Sequence, residues 1–235
     1  MLKNTQSEIL NVYIGFDEKE TVAYHTLSHS IISRATKPIR ISPICSEHYK
    51  NFFNRQRDPK QSNDFSFTRF LVPFLNDYEG HAIFMDCDMM LRDDIFKVFD
   101  EIDSANAISV VQHDYTPSET VKYLNNVQYV YPRKNWSSFV VWNCAHPKHR
   151  ILTPEYVQHA TGLELHRFKW LNDNEIGSLD VNWNWLVGDY VDPSKDVKNV
   201  HWTIGGPYFK EFSDVDFSSE WFEMHKQANF CMQKE

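Results

Sequence analysis

No apolar run of about 18 residues occurs in the 235-residue sequence, so no transmembrane span is expected. The first ten residues, MLKNTQSEIL, lack the apolar region of a secretory signal. Cysteine is scarce: Cys45, Cys87, Cys144 and Cys231 are far apart and form no C-x-x-C pair. That spacing argues against a disulfide framework or a zinc cluster and reads as reduced thiols in a cytoplasmic protein. Basic runs are absent too. The densest basic stretch, NRQRDPK at 54–60, reads as a solvated loop, and the net charge is −8, so nucleic acid is not an expected partner. No internal repeat or low-complexity linker divides the chain.

The sequence that remains is that of a globular α/β protein, with 42% hydrophobic and 24% charged residues. Aromatics make up 15%, including 7 Trp and 11 Tyr. Such a set lines pockets for flat ligands or sugars, or fills a large aromatic core. ILNVYIGF (9–16) reads as a buried strand, and a helical pattern follows from 19 to 34. After Pro38, IRISPI (39–44) reads as a second strand, giving a β-α-β start and a parallel sheet. Phe67, Phe70, Leu71, Phe74 and Leu75 mark one face of a helix that Asp64 or Ser66 is placed to cap and Pro73 to kink or shorten. Strands are expected at 82–86, 107–113, 127–132, 137–143 and 183–188, with PRKN (132–135) suggesting a hairpin between the third and fourth of these. Asp93 and Asp94 open a helix, 171–179 reads as a short helix, and 208–235 as an aromatic C-terminal helix or arm. Such a sheet is open, with its ligand at the carboxyl ends of the strands. The arm carries Trp221, Phe222 and Phe230, which suit docking on a partner, on a membrane surface or on the chain's own core.

The stretch AIFMDCDMML (82–91) runs an apolar strand into Asp86 and Asp88. Alternation puts both carboxylates on one face. Burying two negative groups there costs several kcal/mol, on the order of the penalty for unpaired buried charges, unless something positive compensates. A hard divalent cation, Mg²⁺ or Mn²⁺, is one answer. A helix cap and turn is another. A third is the nucleophile of a haloacid-dehalogenase-type phosphatase, with Asp86 attacking and Asp88 as general acid. That family usually carries the motif near its N-terminus, followed by Thr or Val; here Met89 and Met90 follow.

Six segments in order resemble the retaining glycosyltransferases of family 8, which have a GT-A fold. They are VYIGFD (12–17), SFTRF (66–70), IFMDCDMML (83–91), WSSFVVWN (136–143), WLNDNEIGSL with WNWL (170–186), and HWTIGGPYF (201–209). The resemblance implies one glycosyltransferase domain over 1–235: a nucleotide-binding half (about 9–113), a sugar and acceptor half (about 114–209) and a helical arm (210–235). It implies Mn²⁺ or Mg²⁺ held by Asp86, Asp88 and His201, acting as Lewis acid on the diphosphate of a nucleotide-sugar donor, UDP-linked by expectation. Gly15, Phe16 and Asp17 would meet the nucleotide, Arg69 the donor's sugar or phosphate, Ser137 and Ser138 the donor sugar. Asp173 and Asn174 would act near the anomeric carbon, and Glu175 at an acceptor hydroxyl of a saccharide or glycoconjugate. Retention by front-face displacement is the mechanism the family implies. Three departures stand out. The family's Lys after the C-terminal Gly is absent, with Pro207 and Tyr208 in its place, so the N–H groups of Gly205 and Gly206 would take over phosphate binding. Asn174 replaces a Gln, and Trp136 stands where a small amide is common. A non-catalytic nucleotide-sugar binder is the remaining alternative.

Overall fold

The computed structural model describes residues 9–57, 61, 63–114, 133–191 and 196–230. The main sheet is built from β1 (Leu10–Gly15), β2 (Ile39–Ile44), β3 (His81–Met85), β5 (Ile108–Val111), β6 (Phe139–Asn143) and β7 (Ile176–Leu179). Their spatial order is β2-β1-β3-β6-β5-β7. β6 runs antiparallel to both neighbours and the other adjacent pairs are parallel. β1, β3 and β5 are near-continuous apolar runs because both faces of the sheet are covered.

α1 (Thr21–Ile32) buries Ala23, Thr26, Leu27, Ser30 and Ile31, one face of a helix at i, i+3, i+4, i+7 and i+8. Two of these are polar and find partners. Thr26 Oγ1 donates to Val22 O, and Ser30 Oγ donates to Leu27 O while accepting from Leu91 N at 3.0 Å. The last bond docks α1 onto a second, three-stranded sheet of order β4-β9-β8: β4 (Met89–Leu91), β8 (Trp185–Leu186) and β9 (Asn199–His201). Its strands are two or three residues long; the strand expected at 183–188 is realised only as β8, after a 3-10 turn Val181–Trp183. α5 (Ser218–Ala228) covers it with Trp221 and Met224, which join Met90, Trp185, Val200 and Trp202 in a second core. The aromatic arm therefore docks on its own chain through Trp221, while Phe222 and Phe230 stay exposed. Among the described residues no helix is long and apolar enough to cross a membrane.

Several expectations change. Residues 171–179 are not a helix: a single 3-10 turn, Asp173–Glu175, leads into β7. Gly177 marks the strand, since a Cβ there would lie 2.5 Å from Asn106 Nδ2 and 2.8 Å from Ser109 Oγ of the adjoining segment. The expected helix near 67–75 is a 3-10 turn, Thr68–Leu71, followed by the four-residue α2 (Val72–Leu75). Pro73 sits in the first turn of α2, where a missing N–H does no harm. Neither Asp64 nor Ser66 caps it; Phe67 holds the cap position without a side-chain bond, and Ser66 Oγ turns back to Asn63. The helix after Asp93 and Asp94 is a 3-10 turn, Ile95–Asp100, with Asp94 accepting from Phe96 N. The expected strand 127–132 and Cys231 lie outside the described residues; Cys45, Cys87 and Cys144 are free thiols, all buried. β6 pairs with β3 and β5.

Beneath the sheet, α3 (Pro154–His159) is capped by Thr153, and α4 (Gly162–His166) by the reciprocal Thr161–Glu164 capping box. His149 is fully buried nearby. Its Nε2 lies 2.9 Å from Ala107 O, which can only accept, so Nε2 carries the proton. Nδ1 accepts from Trp170 Nε1 at 3.4 Å. The neutral ring is satisfied on both sides, and burial pushes its pKa down to about 4. The unfolded chain takes up that proton at the ordinary value near 6.5, so stability from this group is complete above that pH and falls as pH drops towards 4. The expected loss is about 1.4 kcal/mol per pH unit across that window. Urea unfolding at successive pH values checks it: His149→Gln should flatten the acid limb, and equal slopes for the two proteins would refute the assignment.

Candidate metal and donor site

The chain leaves β1 towards β2 on one side, while β3 lies on the other. That reversal of strand order opens a crevice at the carboxyl ends of β1 and β3, the place where open α/β sheets bind ligands. Gly15-Phe16-Asp17 ends β1 there and Asp86-Cys87-Asp88 ends β3. Antiparallel β6 brings its amino end, Ser137 and Ser138, to the same edge, where Asp86 N donates to Ser138 O at 2.9 Å.

His201 arrives from the second sheet. β9 pairs with β4 so that His201 faces Met89, and Trp202 N donates to Asp88 O at 3.0 Å. The backbone ladder thus sets His201 beside Asp88, with Nε2 3.2 Å from Asp88 Oδ1. Asp86, Asp88 and His201 each offer a ligand atom, and these atoms all lie within 4.8 Å of one another. Cys87 between them is fully buried. Burial pushes its thiol pKa well up, and the carboxylates of Glu20, Asp88, Asp86 and Asp17 push it further. A buried edge that gathers four carboxylates around a thiol suits a cation. Two carboxylates and an imidazole fit a divalent ion such as Mn²⁺ or Mg²⁺.

The other expected residues divide. Arg69 reaches the site, but as a structural partner: Nη1 lies 2.8 Å from Asp86 Oδ1 and donates to Ser137 O at 2.9 Å, with the guanidinium over the Phe84 ring. Asp17 is buried. Its Oδ1 accepts from Lys19 N and caps the 3-10 turn Glu18–Glu20, while Oδ2 accepts from Asp64 N and ties down the loop before Arg69. Phe16 is half-buried, edge-on to Tyr24 and near-parallel to His48 at 6.4 Å between centroids. Ser137 Oγ bonds His166 Nδ1 at 2.8 Å, and Ser138 Oγ donates to Asn135 O at 2.6 Å.

Three glycines answer to packing. A Cβ on Gly15 would lie 2.3 Å from the Phe65 ring; on Gly205, 2.3 Å from the Phe212 ring; on Gly206, 2.2 Å from the Tyr208 ring. Gly15→Ala should therefore cost about 1–3 kcal/mol through overpacking. Denaturant melts check this, with Gly15→Ala/Phe65→Leu recovering much of the loss; a Gly15→Ala protein as stable as the parent would show that the ring moves freely.

Asp173 and Asn174 do not join the cluster. β7 runs parallel to β5 and, through antiparallel β6, in the same sense as β3, so residues before it enter at the amino-terminal edge. The Asp173 side chain is 90% exposed and pairs with Arg133. Glu175 binds Lys148 at 3.0 Å and Asn172 N at 2.6 Å on that same edge.

Sequence reading missed four groups. Glu20, buried, accepts from Tyr208 Oη at 2.5 Å; burial and this carboxylate hold the phenol protonated far above its usual range. Tyr208 lies in the Pro207–Tyr208 stretch that stands where Lys-Pro-Trp was expected, and it faces a carboxylate. His113, buried at the carboxyl end of β5, lies 2.7 Å from Tyr190 Oη through Nδ1, and burial drives its pKa down to about 3. Asn184, fully buried, bonds His201 and Ser138. His166 backs Ser137. Only Asn184 had a signal, as the Asn of the Trp-Asn pair.

No family model matches the chain. Protein CDI of Arabidopsis thaliana is 44% identical over 238 residues, an alignment that covers 99% of this chain and 92% of that protein. Among solved structures, the galactosyltransferase LgtC in complex with donor and acceptor sugar analogs superposes with a TM-score of 0.63 at 11% identity, covering 95% of this chain and 98% of LgtC. The bifunctional glycosyltransferase WbbM gives 0.64 at 14% identity over 95% of this chain, which spans about half (50%) of WbbM. Mouse xyloside xylosyltransferase 1 gives 0.53 at 10% identity, covering 83% of this chain and 97% of the enzyme. At these identities the likeness is one of fold, and the fold is GT-A.

Proposed function

Since the chain belongs to the family of Arabidopsis thaliana Protein CDI, and it folds as a GT-A domain, we propose that it is a metal-dependent glycosyltransferase of the family-8 type. It moves a sugar from a nucleotide donor, UDP-linked, to a saccharide or glycoconjugate, with retention. The observation that carries the reading is the convergence of Asp86, Asp88 and His201 at the β1/β3 crevice. Mn²⁺ or Mg²⁺ bound there supplies Lewis-acid neutralisation of the leaving diphosphate. The chain's own residues do the rest. Asp88 and His201 would hold the ion, Asp86 would divide its carboxylate between the ion and Arg69, and the β1 loop at Phe16 would receive the nucleotide.

Support for the sugar-side roles is uneven. Ser137 and Ser138 act on the donor through the loop they brace. Gly205 and Gly206 offer N–H groups to phosphate beside Tyr208. Asp173 and Asn174, at the other edge, contribute to the acceptor side only through the 133–135 segment, which Arg133 links to Asp173. The phosphatase reading needs Asp86 as a nucleophile, and its ion pair with Arg69 dulls that carboxylate.

Thermal shift with nucleoside diphosphates, each with and without Mn²⁺, tests the reading, because a ligand that binds the native state raises apparent stability by mass action. A rise with UDP that requires Mn²⁺ supports it. A rise with UDP in thoroughly chelated protein removes the metal role. Binding without turnover of any donor would favour the non-catalytic binder.

A further inference from the structure

We infer that Asn184 is the positioning residue that fixes His201 in the tautomer with the proton on Nδ1 and the lone pair of Nε2 facing Asp88. The assignment follows link by link. Ser138 Oγ lies 2.6 Å from Asn135 O. A carbonyl oxygen only accepts, so the single hydroxyl proton of Ser138 is spent on it. Ser138 Oγ must then accept from the Asn184 side chain, 2.9 Å away, and the atom facing it is Nδ2. That NH₂ also points at Asn135 O, 3.5 Å away. With the amide orientation set, Oδ1 is the atom that faces His201 Nδ1 at 2.8 Å. An amide oxygen only accepts, so Nδ1 carries the proton and donates. The other ring nitrogen, Nε2, lies 3.2 Å from Asp88 Oδ1.

The chain of bonds therefore begins at a backbone carbonyl and ends at a metal-ready nitrogen. Asn184 is fully buried, so no solvent competes for its amide. In the opposite tautomer Nε2–H would donate to Asp88 and close the site to a cation, while Nδ1 and Oδ1 would face each other as two acceptors. The buried amide disfavours that state. Outer-shell hydrogen bonds of this kind orient histidine ligands and raise their basicity. The proton on Nδ1 follows from the amide alone; the lone pair on Nε2, and with it the consequence for metal binding, rests on the metal reading above, because only a cation relieves its contact with the Asp88 carboxylate.

Long-range ¹H–¹⁵N spectra of the histidine-labelled full chain, recorded without metal and with Mg²⁺, test where the His201 proton sits. The expected result is Nδ1–H for His201 in the parent protein and a shift towards Nε2–H in Asn184→Leu. Asn184→Asp, whose carboxylate still accepts from Nδ1, should keep the parent tautomer. Mn²⁺ titration followed by electron paramagnetic resonance should show about 10- to 100-fold weaker binding for Asn184→Leu and binding closer to the parent for Asn184→Asp. If Asn184→Leu does not fold, Ser138→Ala takes its place, since it frees the amide to rotate and should give a mixture of tautomers. Nε2–H without Nδ1–H in the parent, or an unchanged tautomer in both Asn184→Leu and Ser138→Ala, overturns the inference and leaves Asn184 a packing residue. The Nδ1–H tautomer in a parent protein that binds no Mn²⁺ would sustain the positioning role and sink the metal reading alone.

Discussion

Asp88→Ala should lower metal-dependent turnover of a UDP-sugar by about 10²- to 10³-fold, the range expected when a group that steadies developing charge is removed from a preorganised site. The fold should survive. What seats Asp88 is its backbone: its carbonyl accepts from Trp202 N, and Met89 pairs with His201 in the β4-β9 ladder. Alanine keeps both. The substitution does remove the oxygen nearest His201 Nε2, so only Asp86 and His201 are left to hold an ion. Asp86 already shares an oxygen with Arg69, so the two remaining ligands form a poor site. Donor hydrolysis measured with saturating Mn²⁺, with chelator, and for both proteins gives four rates that decide the matter. The parent with metal should stand alone, and the other three should fall together. A variant that keeps the parent's rate, or a parent whose rate survives chelation, removes the metal from the mechanism. If a simple phosphate ester were turned over by a protein lacking His201 but not by Asp86→Asn, the chemistry would instead be that of a phosphatase.

The first half of the molecule was legible because its signals are long. β1, α1 and β2 each carry five or more residues of consistent pattern, and the run into Asp86 and Asp88 announces a strand end by its change of chemistry. The grouping of Asp86, Asp88 and His201 was legible for the same reason on the strand side, and only through family likeness on the histidine side. His201 sits on a three-residue strand whose partners are also three residues or fewer. No periodicity exists in so short a segment, and only the ladder to Met89 shows where the ring goes. β7 went unread because IGSL is brief and follows a turn rich in Asp, Asn and Glu, which mimics a helix start. That error displaced Asp173 and Asn174: residues ahead of a strand parallel to β3 lie at the edge away from the cluster, whatever motif they match. Asn184 escaped for a different reason. A buried amide is chosen by the two groups it bridges, and sequence cannot show that Ser138 and His201 stand on either side of it. Arg69 was found as a residue, but its contact with Asp86 was not foreseen, since a guanidinium that suits a phosphate suits a carboxylate equally well.

That ambiguity at Arg69 gives the second large effect. Arg69→Met should cost about 3–5 kcal/mol of stability, the usual result of removing one member of a buried ion pair. The guanidinium joins three elements: it sits in the 3-10 turn ahead of α2, pairs with Asp86 at the end of β3, and donates to Ser137 O at the start of β6. Methionine fills similar space over Phe84 and Phe65 but leaves the Asp86 carboxylate facing an apolar stem. For a domain of this size the loss lowers the melting temperature by about 10 °C. Two further measurements separate the causes. Arg69→Met/Asp86→Asn removes both charges and should recover much of the stability, because a neutral pair of similar volume avoids the penalty of a lone buried charge. Mn²⁺ should stabilise Arg69→Met more than it stabilises the parent, since the ion then supplies the positive charge that Asp86 has lost. Were Arg69 chiefly a ligand for the donor, the single variant would melt within a degree or two of the parent and show its defect only as a raised KM. That result would return Arg69 to the role its sequence context first suggested.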